Sequence, residues 1–141
     1  MKSKAPLVMM EQMVMLLVFA LAAALCLQAF VQSDAQSKRS EARDQAVIQA
    51  QTAAETLRSC GGDFVRAAKL LGAEHYDEDS LMVVYAPDWT PAQGTMRYLL
   101  GAARQESAVE GLGQAQVWVR DESGDGEELF RLDIAWQEVL S

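Results

Sequence analysis

The chain has 141 residues, with 20 Asp and Glu against 12 Lys and Arg, a formal net charge of -8, one histidine and two cysteines. That length holds one small domain. Setting aside residues 1–32, which carry Lys2, Lys4 and Glu11, leaves ten basic and 19 acidic side chains, and this acidity argues against a nucleic-acid partner.

The first predicted element is a membrane span. Gln12 to Val31 contains 18 apolar residues and two glutamines, with no charge, glycine or proline. As a helix rising about 1.5 Å per residue, the run extends about 30 Å, the thickness of a bilayer's hydrocarbon core. Met13, Leu16, Leu17, Phe19, Leu21, Leu25, Leu27 and Phe30 are the expected membrane anchors. Residues 1–11 form a short leader-like segment and residues 12–31 the span. The run exceeds the apolar core of about 7 to 15 residues in a secretory signal. The competing signal-peptidase reading rests on Ser33-Asp34-Ala35. Cys26 follows Leu25, not the small residue a lipoprotein site requires, and reads as an apolar filler. Along a helix Cys60 lies out of disulfide reach of Cys26. Lys2 and Lys4 on one side and Lys38, Arg39 and Arg43 on the other specify orientation weakly. An acidic head without an evident cytoplasmic role places the N-terminus inside and the head outside.

Beyond the span the helix is expected to continue, because no glycine or proline interrupts Val31 to Arg58. One helix from about Leu7 to Ser59 is the economical reading, with residues 32–59 as its extracytoplasmic continuation. Ala42, Ala46, Val47, Ala50, Ala53, Ala54 and Leu57 recur at spacings of three and four and form one apolar stripe. Gly61-Gly62 ends the helix, Asp63 caps a short second helix through Leu71, and Gly72 closes it.

After Gly72 the period changes to two. Leu81–Tyr85, Thr95–Ala103, Gln114–Arg120 and Glu128–Trp136 are predicted strands, the last two joined as a long-turned hairpin with Phe130, Leu132, Ile134 and Trp136 on one face. The fold class is therefore α+β. A long helix packs its outer half against about four antiparallel strands in a small acidic head, residues 60–141, and each partner covers the apolar surface of the other.

Motifs for chemistry are sparse. Gly61-Gly62-Asp63-Phe64 superficially resembles a nucleotide-cyclase signature one residue short, and capping accounts for it. Asp121, Ser123, Asp125 and Gly126 begin a calcium-loop pattern whose twelfth position is Leu132 in place of a bidentate glutamate. Glu74, Asp77, Glu78 and Asp79 crowd around His75, where a solvated loop is the ordinary reading and a calcium site the weaker one. His75 has no paired nucleophile, so neither an enzyme, a cofactor nor a small-molecule substrate is expected. Trp89-Thr90-Pro91 reads as a turn whose aromatic plugs the sheet edge, with an interface anchor as the alternative.

A basic start, a glutamate directly before an uninterrupted apolar run, a helix continuing well past the membrane and a C-terminal antiparallel sheet together resemble the layout of type IV pilin-like proteins. More narrowly, Glu11 to Phe30 is similar to the N-terminal helix of minor pseudopilins of type II secretion systems, particularly the I class. The likeness is carried by Glu11, by the Phe19-Ala20-Leu21-Ala22 step and by the Leu27-Gln28-Ala29 ending, followed by a polar helix with an Ala54-Glu55 pair. It covers roughly residues 5–58. In that family a glycine, or occasionally an alanine, precedes the bond cut by the prepilin peptidase. Here Pro6 stands before that bond, with Ala5 ahead of it and Leu7 after it, so processing and methylation stay open.

The resemblance implies a structural, non-enzymatic subunit of a type II secretion or competence or type IV pilus-type machine. Such a subunit sits in the bacterial cytoplasmic membrane as a single pass and meets other pilin-like subunits through helix packing. Glu11 would then pair with the amino terminus of a neighbouring subunit; equally, it marks the cytoplasmic end of the span beside Lys2 and Lys4. The competing reading is a single-pass anchored extracytoplasmic binding or sensor module unrelated to filaments.

Overall fold

The computed structural model describes residues 4–139. Helix α1 runs without interruption over Ala5–Ser59, and α2 over Phe64–Leu71. Five strands follow: β1 (His75–Tyr76), β2 (Ser80–Tyr85), β3 (Tyr98–Gln105), β4 (Leu112–Asp121) and β5 (Glu127–Gln137). They form one antiparallel sheet in the order β1-β2-β3-β4-β5. The protein is thus α+β, with a long N-terminal helix and an antiparallel sheet of five strands where the sequence suggests about four. The extra strand, β1, has only two residues, too few for any alternation to reveal it. Thr95, Met96 and Arg97 also fall outside β3, in the β2–β3 connection.

The chain divides into two compact units, Met1–Ser40 and Glu41–Ser141. The first is helical from Ala5 onward, and from Lys4 to Ser40 every residue is exposed.

In the second unit, the alanine stripe on α1 meets the sheet. Ala46, Ala50, Ala53, Ala54 and Leu57 are buried, and Ala42 packs partly against the same core. Alanines leave the helix without bulky side chains, so the sheet supplies the volume: Leu81, Val83 and Tyr85 from β2, Tyr98 and Leu100 from β3, Val117 and Val119 from β4, and Ile134 and Trp136 from β5. Helix α2 adds Phe64, Ala67 and Ala68. Burial of this apolar surface, worth about 25 cal/mol per Å2, is the main term holding the layers together. A polar link also runs from the sheet to α1, from the Tyr85 hydroxyl to Gln49 Oε1 at 3.3 Å.

On β5, Ile134 and Trp136 are fully in the core, whereas Phe130 and Leu132 are only partly covered. A bulge shifts the register between Val119, opposite Phe130, and Arg120, opposite Glu128. It leaves Leu129 as the unpaired extra residue, and Leu129 is buried as well. A strict period of two cannot anticipate that second inward side chain.

Both helix ends close as glycine and aspartate chemistry dictates. Gly61 and Gly62 have φ of 62° and 82°, and their N–H groups donate to the carbonyls of Arg58 and Leu57 at 3.0 Å each. The Asp63 carboxylate accepts from the Arg66 N–H at 3.0 Å, and Gly72, at φ 70°, terminates α2.

Candidate functional site

The largest uncovered chemical feature is the N-terminal part of α1. Met13 to Leu27 is apolar at every position, so successive 100° steps leave no polar face. Met13, Leu16, Leu17, Phe19, Leu21, Leu25, Leu27 and Phe30 all project from the helix, at 58% exposure or more. A helix apolar on all sides needs apolar surroundings. By length and composition this one is sufficient to cross a membrane.

Ala5, Pro6 and Leu7 form the first turn of α1. Proline suits that position, since its φ is helical and N–H groups in the first turn have no intrahelical acceptor. Glu11 follows one and a half turns later on the same continuous helix, exposed and next to Gln12. Lys2, which the sequence reading sets beside it, lies outside the described residues. Ser33-Asp34-Ala35, the competing cleavage site, lies inside α1 and so in helical backbone. Cys26 is exposed on the helix and Cys60 sits at its end, half-buried; both are free thiols.

Two carboxylates of the acidic loops, Asp77 and Asp121, bond the backbone of their own turns. Asp77 Oδ1 accepts from the N–H groups of Asp79 and Ser80 at 2.8 and 2.7 Å, and its Oδ2 from the Ser80 hydroxyl at 2.9 Å. The Asp79 N–H bond leads the causes that hold the Asp77 carboxyl below its ordinary range. Asp121 Oδ1 accepts from the Ser123 N–H at 2.9 Å while Oδ2 meets Arg97 at 3.5 Å. Partial burial pushes the Asp121 pKa up, and the bonds from Ser123 and Arg97 together outweigh it and leave the pKa lowered. Among the described residues, no three His, Cys, Asp or Glu side chains gather as a metal-binding group. His75 lies exposed on the two-residue edge strand β1.

Trp89 takes the plugging role. Its ring stacks on Tyr98 at 3.9 Å and 10° and approaches Tyr85 at 5.8 Å. It holds φ at 64°, an unusual value for a bulky residue. The Trp89 N–H donates to the Ala86 carbonyl at 2.9 Å and the Ala86 N–H to the Thr90 carbonyl at 2.9 Å, so the small closed loop requires that left-handed position.

One cluster is invisible to sequence reading. Arg104, on β3, donates to Asp79 Oδ1 at 2.8 Å, Glu138 Oε1 at 3.0 Å and the Gly62 carbonyl at 3.0 Å. Its guanidinium also lies over the rings of Phe64 and Trp136. Four segments far apart in the chain are tied there, and no short-range pattern signals such a meeting point.

No protein-family model matches the chain, and comparison with curated proteins and with solved structures finds no match either.

Proposed function

We propose that this protein is a structural, non-enzymatic, pilin-like subunit, of the minor pseudopilin kind found in type II secretion or related competence and pilus machines. The observation that supports it most is α1 itself. A wholly exposed apolar segment continues, with no break in the helix, into the alanine stripe that builds the core of the head. In this reading α1 anchors the chain in the bacterial cytoplasmic membrane, N-terminus inside, and its apolar segment packs against like helices of partner subunits. Ala20, Ala22, Ala23 and Ala24 permit close helix approach in lipid. Glu11, at the edge of hydrocarbon, then takes a cationic partner on a neighbouring helix, because an unpaired carboxylate there is costly.

The test is Glu11→Gln in the native host, followed by membrane fractionation and co-purification. The expected result is normal insertion with loss of the partner subunits; unchanged partner recovery would refute the assembly role of Glu11. Intact-mass analysis of the wild-type protein addresses processing. Loss of the residues up to Pro6, with a methylated Leu7, would make the chain a processed pilin-like subunit.

A second reading, a solitary anchored binding or sensor module, is favoured by one observation. Pro6 sits where the peptidase of the resembled family requires a small residue, and its place in the first turn of α1 gives it a purely conformational reason to be there. Recovery of a full-length chain without partner subunits supports this alternative.

A further inference from the structure

We draw no further inference here: the strongest candidate, the solvent-facing side of the sheet where Trp118 lies over Gly101 beside Met82 and Leu99, is an unpartnered apolar face, and nothing in the structure shows what covers it.

Discussion

Trp136 lies in a notch formed by two glycines, and alanine substitutions there separate backbone strain from overpacking. A Cβ added at Gly62 would fall well under 3.0 Å from Cε2, Cζ2 and Nε1 of the Trp136 indole, and so would one at Gly113, which pairs with Trp136 across β4 and β5. Gly62 also holds φ at 82°, whereas Gly61, at 62°, has nothing within 4 Å of its added Cβ. Left-handed backbone costs an alanine about 1–2 kcal/mol, and overpacking a filled core costs about 1–3 kcal/mol. Gly61→Ala should therefore destabilise the head by about 1–2 kcal/mol, Gly113→Ala by about 1–3, and Gly62→Ala by about 2–5, the two costs combined. Against a total stability of about 5–15 kcal/mol for a domain this size, the last is severe. The assay is urea unfolding of the full chain in detergent micelles, followed by tryptophan fluorescence and near-UV circular dichroism. A Trp136→Leu background isolates the clash, because removing the indole should bring Gly62→Ala down to the cost of Gly61→Ala. The reasoning fails if Gly62→Ala and Gly61→Ala are equally mild beside the native Trp136, or if the difference between them survives in Trp136→Leu.

Trp89 offers a rank order. Trp89→Gly loses the stack on Tyr98 but relieves the left-handed backbone, while Trp89→Ala loses the stack and keeps the strain. Stability should thus fall from wild type to Gly to Ala, the last two separated by about 1–2 kcal/mol, as read by denaturant midpoints. Asp63→Ala removes the α2 cap and should cost about 1 kcal/mol by the same measurement. For the pH dependence, Asp77 is lowered by its bonds from Asp79 and Ser80, and Glu128 by the Arg131 guanidinium. Their stabilisation is present above the ordinary carboxylate values of 3.8 and 4.5 and is lost as pH falls through the lower folded values. Melting temperatures recorded from pH 6 down to pH 2 should therefore fall less steeply in Asp77→Asn than in wild type, and an identical slope would exclude Asp77 as a contributor. Leu21→Arg, near the middle of the apolar run, should oppose membrane insertion by about 2.5–3.5 kcal/mol, measured as the fraction of chain that resists carbonate extraction.

Much of this fold was legible because local chemistry and tertiary demand agree. Asp63 and Gly72 bound α2 as their side-chain and backbone preferences require, and the alanines of α1 repeat at the helical period because one sheet covers one stripe. The misses occur where a third party decides. β1 exists because Met82 and Leu81 offer an edge to His75 and Tyr76, not because two residues carry a pattern. Met96, at an alternating position ahead of Tyr98, is kept out of β3 where the connection from β2 arrives and the Arg97 N–H donates to the Tyr85 carbonyl. Leu129 turns inward because a bulge inserts it, and no count by twos contains a bulge.

The candidate site divides along the same line. The apolar run was readable from composition alone, since transfer to lipid depends on summed hydropathy and not on which residue touches which. Arg104 was not, because its meaning comes from Asp79, Glu138, Gly62, Phe64 and Trp136, positions that share nothing in sequence and meet only once the sheet has formed. The acidic loops were readable as acidic but not as occupied. A carboxylate such as Asp77, which accepts two N–H groups and a hydroxyl from its own turn, has much of its acceptor capacity committed. Those three bonds occupy most of the roughly four lone-pair sites of the carboxylate, and they define the turn from Asp77 to Ser80. The same bonds lower the Asp77 pKa, so the feature that most suggests an ion site by charge is accounted for by the backbone it closes.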